Sequence, residues 1–205
     1  MIGTLTFAVM AAALAATPCE GLKAVPLPNI TITSAELVPE GPYQPAGGAR
    51  GAAPGGAPRG DAGRGAQAPA RGDAGAPRGG RGGAPAAPLP AHCRVVAVLK
   101  PSSDSEINME LWLPPADKWN GKFEAVGNGG WAGSIQGLTG AMQPALRAGY
   151  ATAGNDTGHQ GAVGTFALGH PEKLKDFADR AMHEMTVQSK ALIKAFYDQA
   201  PRLSY

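Results

Sequence analysis

The feature that most constrains this fold is a segment of 43 residues, 46–88. It contains only glycine, alanine, proline, arginine, two aspartates and one glutamine. Because no side chain in it is a larger aliphatic group than that of alanine, the segment cannot bury enough apolar surface to fold by itself. The sequence therefore predicts a disordered insert at 46–88. Any hydrophobic core must be built from the residues on either side of it.

The basic character of the chain belongs to this insert. Its six arginines and two aspartates give a net charge of +4, and the whole chain carries +2, so the other residues sum to −2. A nearly neutral foldable part favours a small-molecule partner over nucleic acid. Arginine-glycine tracts that bind RNA interleave aromatic residues for base stacking, and this insert has none.

The first 16 residues are apolar and end in Ala13-Leu14-Ala15-Ala16. This pattern predicts a signal peptide at 1–16 with cleavage near Ala15, because small residues precede such sites. The run is too short to span a bilayer. We therefore expect a secreted or periplasmic protein that does not contact the membrane after the signal is removed. In an oxidising compartment the only two cysteines, Cys19 and Cys93, are expected to form a disulfide.

Hydrophobic periodicity predicts alternating strands and helices. Residues 17–45 form an N-terminal strand segment in this interpretation, with the strand itself at 30–38. Residues 89–205 are predicted to be the larger folded part. Its predicted elements are an antiparallel hairpin of 94–100 and 107–113, strands at 122–126 and 150–154, helices at 134–148 and from Asp176 onward, and a strand starting at 202–205. This order predicts an α/β fold with crossover helices.

A glycine loop, 127–133, follows the predicted strand at 122–126 and has four glycines in seven positions. Glycine lets backbone N–H groups approach a ligand closely. The loop lacks the third glycine of a dinucleotide fingerprint at its required place and the terminal Gly-Lys-Ser/Thr of a phosphate loop. The remaining interpretations are the oxyanion hole of an α/β-hydrolase, with Gly129 and Gly130 as donors, and a plain tight turn. Trp131 is predicted either to line an acyl pocket or to pack in the core.

A second polar loop, 155–161, contains Asp156 and His159. In α/β-hydrolases the catalytic residues follow the order Ser, Asp, His, and no serine before this pair stands in Gly-x-Ser-x-Gly. We therefore expect Asp156 and His159 to shape the site near the glycine loop through hydrogen bonds. The scattered histidines and the cysteine pair show no zinc-binding spacing, so no metal ligand is assigned.

Several of these segments, in this order, resemble the tannase and feruloyl esterase family of α/β-hydrolases. The likeness covers nearly everything except the predicted signal and insert. The segments are Leu113-Pro114 with Trp119-Asn120-Gly121-Lys122-Phe123, Gly127-Asn128-Gly129-Gly130-Trp131-Ala132-Gly133, Asp156-Thr157-Gly158-His159, and a long stretch over 167–197.

The resemblance implies a secreted serine esterase that cleaves phenolic esters of the galloyl or feruloyl type. It makes 89–205 the N-terminal part of a catalytic domain, ending before a Cys-Ser-x-Gly-Gly nucleophile elbow, so the catalytic Ser, Asp and His are expected outside this chain. A fragment of this kind would be inactive alone. The chain itself needs no cofactor, and a structural calcium would belong to a lid domain beyond the elbow. The alternative is a non-catalytic secreted binding protein that uses the arginine-glycine insert.

Overall fold

A computed structural model of the chain describes residues 16–43 and 87–205. The predicted signal peptide, except Ala16, and the predicted insert, except its last two residues, lie outside the described residues. The chain divides into one unit of residues 1–41 and 88–205 and a second unit of residues 42–87. All elements described below belong to the first unit. The predicted domain boundaries stay predictions.

The first unit is built on a six-stranded sheet with the order β1-β2-β3-β5-β4-β6. The first four strands in this order pair antiparallel, and β5, β4 and β6 pair parallel. The predicted hairpin is present as β2 and β3, and the other predicted strands are confirmed within a residue or two. The strands are β1 (Ile30–Val38), β2 (His92–Leu99), β3 (Ile107–Leu113), β4 (Lys122–Val126), β5 (Ala151–Asn155) and β6 (Leu203–Ser204).

Helices connect the parallel strands, as an α/β fold with crossovers requires. Helix α1 (Thr139–Arg147) joins β4 to β5. Between β5 and β6 the chain forms α2 (Pro171–Lys175), one π-helical turn (Asp176–Arg180) and α3 (Ala181–Tyr197). The predicted α/β class with crossover helices is confirmed. In the part of the chain described, no helix is both long and apolar enough to cross a membrane.

Two helix predictions were wrong in their bounds. The helix predicted at 134–148 begins only at Thr139. Glycine lowers helix propensity by about 1 kcal/mol per residue, and Gly137 and Gly140 both fall in the predicted first half. The helix predicted to run on from Asp176 starts with the π-turn instead, and regular α-helix begins at Ala181. Periodicity places a helix correctly but does not detect a single wider turn.

The sheet buries one face under α3 and the other under α1. Successive residues of a strand point to opposite faces. Leu111 and Ala153 pack in the same core as Met185 of α3, whereas Trp112 points to the other face, where Leu138 lies against Gly154. A Cβ on Gly154 would lie 2.9 Å from the Leu138 side chain, so glycine permits the close packing there. Met185 is fully buried in this core.

A buried ion pair lies across the β2–β3 hairpin. Arg94 donates from Nε to Oε2 of Glu110 at 3.0 Å and from Nη2 to Oε1 at 2.8 Å. The indole N–H of Trp112 donates to Glu110 Oε2 at 3.0 Å. Burying two charges is costly unless their hydrogen bonds are satisfied, and this two-pronged geometry satisfies them. The pair therefore favours one register of the hairpin over its alternatives.

The predicted disulfide between Cys19 and Cys93 is present. It joins a short 3₁₀-helix, Cys19–Ala24, to β2, and both cysteines are buried in the core under α3. The two residues are 74 positions apart, so the bond closes a loop that includes β1. A cross-link of this span restricts the unfolded chain strongly.

We expect the double variant Cys19→Ala, Cys93→Ala to lose about 2–4 kcal/mol of unfolding free energy, the usual effect of a disulfide on the unfolded chain. Urea unfolding of the wild type with and without a thiol reductant should show the same loss. The double variant serves as the control because its midpoint must not respond to reductant. Equal midpoints for oxidised and reduced wild type would contradict the stabilising role.

Candidate functional site

Two loops meet at one edge of the sheet. The glycine loop leaves the end of β4, and the loop 155–161 continues from the end of β5. Because β4 and β5 run parallel, their carboxyl ends lie side by side. Gly133 donates to the carbonyl of Gly161 at 2.7 Å, and Gly161 donates back at 3.3 Å. The loops predicted to lie near each other are thus joined backbone to backbone.

The contact between the loops is close enough to require glycine. A Cβ on Gly133 would overlap the carbonyl oxygen of His159 and lie 2.7 Å from its Cδ2. Gly161 has φ +102°, in the region that favours glycine. Glycine at positions 133 and 161 therefore allows the two loops to approach each other this closely.

The middle of the glycine loop is an open turn. Ala132 donates to the carbonyl of Gly129 at 3.2 Å, and Gly130 has φ +57°. A Cβ added to either glycine would meet no heavy atom within 4 Å. Within residues 16–43 and 87–205, the N–H groups of Gly129, Gly130 and Trp131 donate to no protein acceptor. The turn can therefore present N–H groups to an external acceptor.

Trp131 is the third residue of this turn, and 46% of its surface is exposed. Its ring stacks on Phe177 at a centroid distance of 4.7 Å, and Phe166 meets it edge-on at 6.1 Å. Phe166 in turn stacks on the His159 ring at 3.7 Å. The four side chains Trp131, His159, Phe166 and Phe177 form what we call the aromatic cluster. The exposure of Trp131 excludes a fully buried core position for it.

His159 is buried and both of its ring nitrogens have partners. Nε2 lies 2.8 Å from the carbonyl oxygen of Trp131, and Nδ1 lies 3.2 Å from Oγ1 of Thr157. A carbonyl oxygen only accepts, so Nε2 must carry the proton. The structure thus connects His159 to the glycine loop through a hydrogen bond and a glycine contact.

Asp156 organises the second loop from within. Its carboxylate accepts from the backbone N–H and from Nδ2 of Asn108 (3.0 and 2.7 Å), from the N–H of Gly158 (3.0 Å) and from Nε2 of Gln160 (2.7 Å). Burial raises the pKa of Asp156, and these hydrogen bonds partly oppose that rise. With four donors on two oxygens, the carboxylate holds the loop together and has little capacity left for another role.

Asn155 ties both loops to α3. Its backbone carbonyl accepts from Nδ2 of Asn128 in the glycine loop at 3.1 Å. Its side-chain oxygen accepts from the N–H of Thr157 at 2.8 Å, and its Nδ2 donates to the carbonyl of Ala181 at 3.1 Å. One fully buried asparagine, through its side chain and its backbone carbonyl, therefore fixes three segments relative to one another.

A polar network holds the π-turn that carries Phe177. Asp176 is fully buried and accepts from Ser105 Oγ at 3.1 Å and from Arg180 Nε at 2.6 Å. Arg180 also donates to Glu172 at 2.7 Å. Hydrogen bonds from Lys175 and Arg180 lower the pKa of Glu172. Such turns are rare in helices and occur often at functional sites.

Metal binding has no candidate among residues 16–43 and 87–205. No three His, Cys, Asp or Glu side chains lie close enough together there to hold an ion. His170, which precedes α2, pairs with Asp104 at 3.0 Å on the surface. We therefore assign no residue in this part of the chain as a ligand of the calcium that the resemblance implies.

The family model for tannase and feruloyl esterase matches residues 93–205, more than half of the chain. The chain belongs to this family. It is 37% identical over 203 residues to an uncharacterized esterase of Xanthomonas campestris pv. campestris. It is 40% identical over 113 residues to a probable feruloyl esterase B-1 of Aspergillus flavus. Among solved structures it matches feruloyl esterase B from Aspergillus oryzae with a TM-score of 0.66 and 30% identity.

These matches cover most of this chain but a minor part of each relative. The Xanthomonas match covers 97% of this chain and 28% of that esterase. The Aspergillus flavus match covers 55% of this chain and 21% of that protein. The structural match covers 91% of this chain and 31% of the other. The chain therefore spans about a third or less of the length of these family members.

Several residues of the site were not found by sequence reasoning. Asn108, Asn155 and Gln160 are ordinary amides in the sequence, and Phe166 lies in a short 3₁₀-helix with no periodic signal. Phe177 lies in the π-turn, which periodicity does not detect, and it contacts Trp131. The pairing of β3 with β5 brings Asn108 to Asp156, and the π-turn brings Phe177 to Trp131. The sequence pattern that indicated part of this site was the run of polar residues directly after β5.

The hydrogen bonds of the Asp156 carboxylate predict how substitutions at this position change the unfolding free energy. Asp156→Ala leaves four buried or partly buried donors unpaired and should cost about 1–3 kcal/mol of unfolding free energy. Asp156→Asn should cost less than about 1 kcal/mol, because the amides of Asn108 and Gln160 can rotate and accept from the new NH₂ group. Chemical denaturation of the three proteins checks this. Equal losses in both variants would contradict it.

The same residue predicts a pH dependence. Burial raises the pKa of Asp156 above its ordinary value of 3.8. Between 3.8 and the raised pKa, the folded chain holds a proton that the unfolded chain has lost, so this contribution to stability falls as pH rises. We expect the unfolding free energy of wild type minus that of Asp156→Asn to be largest in acid and to reach a plateau above the raised pKa. An opposite slope would mean that the hydrogen bonds outweigh burial.

Proposed function

We propose that the polypeptide containing these residues hydrolyses carboxylic esters of phenolic acids, and that the turn Gly129–Ala132 supplies the loop-side donor of its oxyanion hole. The observation that carries the proposal is the open turn. The N–H groups of Gly129, Gly130 and Trp131 have no acceptor in the described part of the chain, and the two glycines leave free space beside them.

The chemistry of ester hydrolysis requires such donors. Attack on an ester carbonyl places negative charge on its oxygen, and fixed N–H groups stabilise that charge without having to reorganise. Loss of one such donor typically lowers the rate by about 10²–10³. The Ala132 to Gly129 hydrogen bond and the paired backbones of Gly133 and Gly161 hold the turn in place. These contacts support a preorganised donor and weigh against a plain surface turn.

The aromatic cluster supports a phenolic acid as the acyl part of the substrate. Relatives of this chain include probable feruloyl esterases. Trp131 belongs to the donor turn, is half exposed, and is backed by Phe177. A planar aromatic acid can stack on an indole held in this way, which adds to the affinity beyond simple burial. In this proposal Trp131 forms a wall of the acyl site.

The cellular location is part of the proposal. The buried disulfide of Cys19 and Cys93 supports a secreted or periplasmic protein, because disulfides persist in oxidising compartments. The predicted signal peptide lies outside the described residues and stays a prediction.

In this proposal the described residues supply the oxyanion donor and one wall of the acyl site. None of them is assigned as a member of the catalytic triad. No serine in the sequence stands in Gly-x-Ser-x-Gly. Asp156 is saturated by four donors, and Nε2 of His159 donates to a carbonyl. The alternative, a binding protein that uses the insert, rests on residues outside those described, and no structural observation favours it.

The test uses the whole polypeptide that the gene encodes, assayed with methyl ferulate and methyl gallate. We expect hydrolysis, and we expect Gly129→Ala to lower kcat/KM by about tenfold to hundredfold. The new methyl has no protein neighbour within 4 Å, so it fits the folded chain. In this proposal it occupies space that the ester oxygen needs. The melting temperature should therefore not fall.

The matched control is Gly140→Ala in α1, where an added Cβ also meets nothing within 4 Å. Alanine in a helix is favoured over glycine by up to about 1 kcal/mol, so this variant should be at least as stable and fully active. Absence of hydrolysis by the wild type, or full activity of Gly129→Ala, would overturn the proposal.

A further inference from the structure

The peptide that follows Trp131 is held at both of its polar groups. Its carbonyl oxygen, that of Trp131, accepts from Nε2 of His159 at 2.8 Å. Its N–H, that of Ala132, donates to the carbonyl of Gly129 at 3.2 Å and closes the turn. Rotation of this peptide would change the direction of the free N–H groups at Gly129, Gly130 and Trp131. The only side chain in the described residues that holds it is that of His159.

We propose that His159 is a positioning residue of the oxyanion turn, acting through the hydrogen bond from its Nε2 to the carbonyl of Trp131. This inference rests on the proposed function, because it concerns the same donors. It assigns to His159 a role in the orientation of the amides and none in proton transfer to substrate.

The His159 ring is itself fixed from several directions. Nδ1 contacts Oγ1 of Thr157, which donates to the carbonyl of Asp156 at 2.7 Å. Phe166 covers one face of the ring at 3.7 Å with an interplanar angle of 11°. Gly133 lies so close to Cδ2 that a Cβ there would overlap it. A ring held by its face, its edge and both nitrogens can transmit a fixed position to the turn.

The hydrogen-bond pattern excludes His159 as a general base. Nε2 already carries its proton, since a carbonyl oxygen is its partner. Nδ1 is buried against Thr157. Nε2 therefore has no free lone pair for a proton from an attacking group, and Nδ1 lies beside Oγ1 of Thr157 in the buried ring.

Displaced donors should affect the transition state more than the bound substrate. The ester oxygen gains its charge only during reaction, so donor geometry matters most there. A displacement of about 1 Å can cost about a hundredfold in rate. Loss of the His159 contact should therefore lower kcat and leave KM nearly unchanged.

The test compares two amides of different reach in the full-length polypeptide. Glutamine places its Nε2 near the position of the histidine Nε2 and can donate to Trp131, whereas the shorter asparagine cannot. Both variants lose the ring stacking on Phe166, so their stabilities should fall together. We expect kcat of His159→Asn to be about tenfold to hundredfold below that of His159→Gln per folded molecule, with KM equal within about threefold. His170→Asn is the control histidine and should keep wild-type kcat.

A second readout does not depend on activity. In ¹⁵N-labelled protein, the amide signals of Gly130 and Ala132 should shift in His159→Asn and stay near their wild-type positions in His159→Gln and His170→Asn. The wild-type ring should show a proton on Nε2, which can be measured even if both variants fail to fold.

The outcomes separate the two proposals. Hydrolysis by the wild type with equal kcat in both His159 variants would overturn the positioning role alone. An inactive wild type whose amide signals respond as expected would overturn the proposed function and leave the structural role of His159 standing. A wild-type ring protonated only on Nδ1 would overturn the inference directly.

Discussion

The candidate site depends on one contact, the exchange of backbone hydrogen bonds between Gly133 and Gly161. No side chain fits at position 133, because a Cβ on Gly133 would overlap the carbonyl oxygen of His159. The contact is possible because β4 and β5 run parallel and deliver their following loops to the same edge. The turn of Gly129 and Gly130, the His159 contact and the aromatic cluster all lie on either side of it.

Buried charge has two different uses in this fold. Across the β2–β3 hairpin, Glu110 faces Arg94, and the two charges balance each other away from water. Asp156 has no such cation among the residues that the structure describes and is surrounded by N–H donors, so burial still raises its pKa. Asp156 organises the loop at an electrostatic cost that a neutral amide would avoid. The pair of Arg94 and Glu110 favours one register of the hairpin, whereas the hydrogen-bonded Asp156 favours one conformation of the loop 155–161.

The strands were predictable because their residues alternate between two environments, as in Ile107–Leu113. The glycine loop and the pair Asp156 and His159 were also visible, because each stands in a polar or glycine-rich run directly after a strand. Their oxyanion and site-shaping roles stay predictions. The partners were not predictable, because Asn108 meets Asp156 only through the pairing of β3 with β5. Likewise, the π-turn that places Phe177 against Trp131 leaves no trace in a pattern of period 3.6.

The exposure of the donor turn limits what these residues can do alone. An N–H group open to water already has a partner, so an ester oxygen gains little by replacing it. The same N–H group is worth much more where apolar surface excludes water and lowers the local dielectric. Trp131, backed by Phe177 and Phe166, supplies part of that surface next to the turn. An aromatic acyl group stacked on Trp131 would supply more, so substrate binding and oxyanion stabilisation would reinforce each other at this site.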